Sequence, residues 1–110
     1  MRGLPTPALH ILLAVSDGER HGYAIMQDID ARTNGALRLG PGTLYGTIKR
    51  LLADELIEEV GERDDREGHD VRRRYYRITR RGRKVAADES ARLVALVRHA
   101  RAMGFTPKTV

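Results

Sequence analysis

Gly40-Pro41-Gly42-Thr43-Leu44-Tyr45-Gly46-Thr47-Ile48-Lys49-Arg50-Leu51-Leu52-Ala53-Asp54 is the stretch on which the fold turns. Glycine is an acceptable N-cap, and proline at the first helical position forfeits only a donor that has no partner. Leu44, Ile48, Leu51 and Leu52 then recur at i, i+4, i+7 and i+8, the stripe of an amphipathic helix. A turn of about 100° per residue sends Gly42, Thr43, Gly46, Lys49, Arg50 and Ala53 to the opposite face, with Tyr45 and Thr47 on its edges. That face holds small residues, hydroxyls and two cations. A helix lying in a nucleic-acid groove needs this composition: small residues let the backbone approach, and cations and hydroxyls meet phosphates and base edges. Gly46 costs about 1 kcal/mol relative to alanine inside a helix. It either makes room for a partner or is simply tolerated. Tyr45 reads equally well as a core-edge residue, and Arg50 as a solvated one.

Working outward, Pro5 to about Ser16 carries Leu9, Leu12, Leu13 and Ser16 at helical spacing, and Asp17-Gly18 ends that helix. His21-Gly22 opens a second helix with Ile25, Met26 and Ile29 on one side. Asn34-Gly35 closes it, since both residues tolerate the left-handed conformation of a helix C-cap. Beyond the third helix, Leu56 to Arg63 alternates, with Leu56, Glu58 and Val60 sharing a face. Arg72 to Ile78 is rich in β-formers, with Tyr76 and Ile78 on one face and Tyr75 on the other. The polar run Asp64 to Asp70 between them predicts a hairpin with a long tip. Thr79 caps a last helix of about 25 residues that Gly104 ends. The predicted fold class is mainly α with a small β-hairpin: a winged helix-turn-helix at 1–79, a long C-terminal helix at 80–104 and a flexible tail at 105–110.

Charge is unevenly placed. The chain of 110 residues carries a net charge of +5. Ala53 to Asp70 holds nine acidic and two basic residues, whereas Val71 to Lys84 holds eight basic and no acidic ones. Such a block implies either a polyanionic partner or a solvated basic face. Arg80, Arg81, Arg83 and Lys84 crowd the first turns of the last helix, where cations oppose the helix dipole. A phosphate nearby would reverse that disadvantage. The acidic tip would repel phosphates, so any wing contact is expected from Arg63, Arg66 and Arg72 to Arg74.

Several function classes are excluded. Cysteine is absent, which removes disulfide scaffolds, thiolate metal sites and thiol nucleophiles. No apolar run approaches the roughly 18 residues of a membrane span. The run Ala8 to Val15 lacks a signal-peptide cleavage pattern, so a cytoplasmic protein is expected. The four histidines show no metal-ligand pairing, and no catalytic triad or phosphate-cradling glycine loop stands out. Neither a metal, a cofactor nor an enzymatic activity is expected.

His21-Gly22-Tyr23, Gly42-Thr43-Leu44-Tyr45, Leu56-Ile57 and Arg74-Tyr75-Tyr76-Arg77-Ile78-Thr79 with Gly82-Arg83 resemble the PadR family of prokaryotic transcription regulators. The resemblance covers about residues 8 to 90. It implies a winged helix, a C-terminal dimerisation helix and repression relieved by a small molecule. Thr43, Tyr45 and Lys49 or Arg50 match positions that face double-stranded DNA, and Tyr23 matches one near the backbone. Two departures stand out. Members commonly have Ser where Gly40 stands, and Gly where Glu55 stands.

On the last helix Ala86, Leu93 and Ala100 are spaced by seven, with Leu96 and Met103 three residues after the latter two, a seam broken by Glu89. With Leu9 and Val97 these residues are expected to meet the same helix, or the first helix, of a second copy in a two-fold homodimer. An effector at that interface is an expectation from resemblance only. The absence of Trp and a single Phe weaken the case for a flat aromatic one. The competing reading is a winged-helix module for protein contacts or unspecific nucleic-acid binding. It would tend to expose large apolar residues on the third helix, which this sequence does not.

Overall fold

The computed structural model of the chain describes residues 3–64 and 72–105. Its elements run α1 (Thr6–Ala14), β1 (Arg20–His21), α2 (Gly22–Arg32), α3 (Pro41–Ala53), β2 (Ile57–Asp64), β3 (Arg72–Ile78) and α4 (Arg80–Ala102). The three strands form one antiparallel sheet in the order β1-β3-β2. This is a winged helix followed by a long helix, as expected.

α1 buries Ala8, Ile11 and Leu12, and leaves Leu13 partly exposed, at 38 %. Its buried stripe is therefore centred one position away from Leu13 and Ser16. Leu9 is half-buried against the chain's own core. Ile25 and Ile29 from α2, Leu44, Ile48 and Leu51 from α3, and Ile57, Tyr76 and Ile78 from the sheet complete that core. Burial, followed by the nearby Glu59 carboxylate, pushes the Tyr76 phenol up from its ordinary value.

The hairpin differs from expectation in its parity. Ile57 pairs with Ile78, and both face the core. Glu58 pairs with Arg77 on the outer face, where their side chains form an ion pair. Leu56 belongs to the preceding turn. A bulge between Glu59 and Gly61 then adds a residue, so Leu56, Glu58 and Val60 do not share a face. Simple alternation cannot detect a bulge, because one extra residue inverts every later assignment. The expected loop tip, with Arg66, lies at 65–71, outside the described residues. Arg63 and Arg72 are described as strand positions, paired with Arg73 and Asp64 respectively.

Three helices end alike, with a donor reaching back five residues: Gly35 to Asp30, Leu56 to Leu51 and Phe105 to Ala100. Each such ending needs a left-handed residue. Asn34, Gly35 and Gly104 supply it cheaply, but after α3 it falls on Glu55, at φ 61°. A side chain there costs about 1 kcal/mol or more. Glu55→Gly is therefore expected to raise stability by about 1 kcal/mol, less the share glycine returns to the unfolded chain. A urea titration checks this, and a lower midpoint would count against it.

The α3–β2 turn is fastened to the start of α4. The Thr79 hydroxyl accepts from the Gly82 N–H at 2.9 Å and donates to the Glu55 carbonyl at 2.7 Å. The Thr79 N–H donates to the Leu56 carbonyl at 3.1 Å. Gly82 rests on that same backbone. A Cβ added there would lie 2.0 Å from the Leu56 oxygen.

One stripe runs the length of α4. At helical spacing Gly82, Ala86, Glu89, Leu93, Leu96, Val97, Ala100 and Met103 share a side. The first three are buried by the chain's own domain. Leu93, Leu96, Val97 and Met103 are exposed large apolar residues, Leu96 at 57 %. Ala86 is thus used within the chain. Glu89, which breaks the seam in sequence, is buried and paired with Arg92. The Arg92 hydrogen bond holds its carboxyl below the usual range despite burial. The stabilisation from that charge is present above the ordinary carboxylate range and is lost as pH falls through the lowered value.

Candidate nucleic-acid interface

α3 presents the face its sequence predicts. Leu44, Ile48 and Leu51 are buried, while Gly42, Thr43, Tyr45, Gly46, Lys49 and Arg50 are exposed. Thr47 is half-buried, and its hydroxyl donates to the Thr43 carbonyl at 2.7 Å. Nothing lies within 4 Å of where a Cβ would stand at Gly42 or Gly46. The chain's own packing therefore gives no reason for glycine at either place. Lys49 and Arg50 make no ion pair among the described residues, so both charges are available to a ligand.

Tyr45 has a second role at the junction of α3 and α2. Its ring lies across Gly22: a Cβ there would come 2.6 Å from the phenolic oxygen and 2.8 Å from the ring. Half of Tyr45 stays exposed even so. Tyr45 therefore packs with its hydroxyl end and one ring edge against Gly22, while the rest of the ring stays open to solvent.

Around that contact is a cleft of about 490 Å³ lined by His21, Gly22, Tyr23, Tyr45, Arg73, Arg74 and Tyr76. His21 shapes its floor. The His21 Nδ1 accepts from the Ala24 N–H at 3.1 Å, capping α2. Its ring meets Tyr75 edge-on, with centroids 5.3 Å apart. The Arg73 guanidinium lies 5.4 Å from the exposed Tyr23 ring centroid and contacts the His21 imidazole. A cation over an aromatic face is held in place while keeping its charge. The cleft thus offers an oriented guanidinium and two tyrosine hydroxyls beside a helix N-terminus, a combination suited to a phosphate oxygen.

The basic block divides. Arg74 pairs with Glu59, Arg77 with Glu58 and Lys84 with Asp88. Arg83 donates to the Ser16 carbonyl at 2.8 Å, tying α4 to the end of α1. Arg80 and Arg81 are exposed and form no ion pair among the described residues. With Arg73, which meets Tyr23 and His21, five cations of the block are engaged within the chain.

The sequence gives little warning of β1 or of His21 as a cap. A two-residue strand has no periodicity, and histidine is not a usual capping residue. Arg20 also escapes notice. Its Nε donates to the Ala14 carbonyl at 2.7 Å, and its guanidinium lies 3.8 Å from both Asp17 and Asp28.

No group of His, Cys, Asp and Glu among the described residues could hold a metal ion. No described helix is long and apolar enough to cross a membrane.

The chain is similar in sequence to curated proteins and in fold to solved structures. The transcriptional regulator Rv3488 of Mycobacterium tuberculosis is 38 % identical over 90 residues, covering 82 % of this chain and 78 % of that one. The chain spans a smaller share of two other relatives: 64 % of protein X of Lysinibacillus sphaericus and 22 % of a 37.1 kDa protein in transposon TN4556 of Streptomyces fradiae. Among solved structures, a transcriptional regulator from Clostridium thermocellum superposes with a TM-score of 0.74 at 25 % identity, over 87 % of both chains. Bacillus subtilis PadR, determined in complex with operator DNA, has the same fold, with a TM-score of 0.67 at 19 % identity over 76 % of this chain and 46 % of that one. The model of the transcriptional regulator PadR-like family matches residues 11–88, and the chain belongs to that family.

Proposed function

We propose that the chain is a sequence-specific DNA-binding repressor that acts as a homodimer in the cytoplasm. Residues 1–79 form the DNA-binding domain, helped by Arg80 and Arg81 at the start of α4, and the remainder of the helix segment 80–104 joins two copies. The observation that carries this reading is the outward face of α3: two glycines that nothing among the described residues crowds, hydroxyls, and two cations without ion-pair partners among the described residues. Such a face admits a nucleic-acid groove and offers no apolar patch to a protein. The shared fold of Bacillus subtilis PadR, determined with operator DNA, supports the same reading.

The work divides between two sets of residues. Lys49 and Arg50, with Thr43, meet base edges in the major groove. Tyr23, Tyr45, Arg73, Arg80 and Arg81 meet phosphates. Binding to the chain's own upstream DNA should exceed binding to scrambled DNA by about 10³ or more, with a steep salt dependence. Equal affinities would defeat the proposal. Arg50→Ala should remove about 1–3 kcal/mol of discrimination between the two DNAs, as expected for a bidentate base contact. Arg81→Ala should weaken both alike and flatten the salt slope by about 1. Parallel losses on both DNAs for Arg50→Ala would reassign Arg50 to a phosphate. Response to a small molecule bound between the two α4 helices is tested by screening for ligand-induced shifts in thermal stability.

A further inference from the structure

Among the described residues one charged side chain is buried: Glu89, at 6 % exposure. It sits on the apolar stripe of α4, where a leucine would continue the seam. A carboxylate there is costly unless paired and hydrogen-bonded. Arg92, one turn on, supplies Nε and Nη2, each 2.7 Å from a separate oxygen. The same guanidinium lies against the segment that leads into α1, since a Cβ at Gly3 would fall 2.9 Å from Nη2. The Leu4 N–H faces the carboxylate from that segment and adds a weaker pull on it. Glu89 and Arg92 therefore join α4 to the entry of α1. They stand where the helix leaves its domain, just before Leu93, the first exposed residue of the seam.

This position has leverage. From Glu89 to Met103 the helix runs about 21 Å, at about 1.5 Å per residue. A tilt of about 10° at the joint moves the far end by about 4 Å, close to the rise of one base pair, about 3.4 Å. Two copies joined along α4 would carry such a tilt into the distance between their α3 helices.

We propose that the Glu89–Arg92 pair, seated against Gly3 and Leu4, is a positioning device that fixes the angle of α4 to the winged domain and so the spacing of the two DNA half-sites a dimer reads. This rests on the dimeric DNA-binding reading above. A buried carboxylate held in a two-pronged contact by a half-exposed guanidinium contributes a defined geometry where an apolar contact would hold several.

The test recovers bound duplexes from a random DNA library with the full chain, with Glu89→Gln and with Arg92→Lys. The parent chain should return one half-site sequence at one spacing, preferred about tenfold or more over spacings one base pair away. Glu89→Gln keeps the shape but loses the charge, and it should return the same half-site at shifted or mixed spacings, the preference falling below about threefold. Arg92→Lys keeps the charge but loses the two-pronged contact, and it should relax the spacing likewise. Variants that return the parent spacing at parent strength would overturn the proposal. So would variants that lose the half-site sequence itself or fail to fold, since the pair would then be structural only. A parent chain that returns no paired half-sites would defeat the dimeric reading, a result visible without either variant.

Discussion

Gly82→Ala is expected to destabilise the fold by about 3 kcal/mol or more, at or beyond the upper end of overpacking costs. The added carbon would fall 2.0 Å from the Leu56 carbonyl oxygen and 2.8 Å from the Ile78 side chain. The first obstacle is backbone, which cannot rotate aside as a side chain tip can. Relief requires the first turn of α4 to lift, and that turn is held by the Thr79 hydroxyl to both Gly82 and Glu55. Lifting it would therefore loosen the cap of α4 and the turn that ends α3 together. For a domain of this size the melting temperature should fall by about 12 °C or more. Thermal unfolding followed by circular dichroism checks this. A fall of less than about 4 °C would mean that the helix moves off Leu56 at little cost.

Leu96→Glu should act on assembly and leave folding nearly unchanged. In the single chain Leu96 is 57 % exposed, so a charge there meets water. In a dimer joined along α4 the same charge would be buried without a partner, a large penalty. Sedimentation should show a monomer at concentrations where the parent is dimeric. Affinity for a paired operator should drop by about 10²-fold or more, because the second half-site no longer binds as part of one event. The melting temperature measured at low concentration should stay close to that of the parent. A dimeric variant with parent affinity would remove α4 from the interface.

Much of the fold is legible because helices with one buried side announce themselves. The α3 stripe and the Thr79 cap can be read from residue type and spacing, whereas Glu55 stands out only through the resemblance, as a place where relatives commonly have Gly. The outward face of α3 follows from the same periodicity, so its candidate DNA contacts are legible as well. What the sequence hides depends on contacts between distant segments. β1 is two residues long and exists because β3 pairs with it. The register of β2 turns on one bulge. Which arginines are bound within the chain depends on where Glu58, Glu59 and the Ser16 carbonyl come to lie. Glu89 looks like a flaw in the seam until Arg92 and the segment before α1 are placed beside it.

The stripe on α4 changes owner part-way along. Up to Glu89 it belongs to the folding of one chain, and from Leu93 onward it is left to whatever lies outside. Substitutions in the second half can alter which chains pair with which while the winged domain keeps its packing. Related regulators in one cell could then stay separate, each choosing its own kind, through changes confined to about three turns of helix.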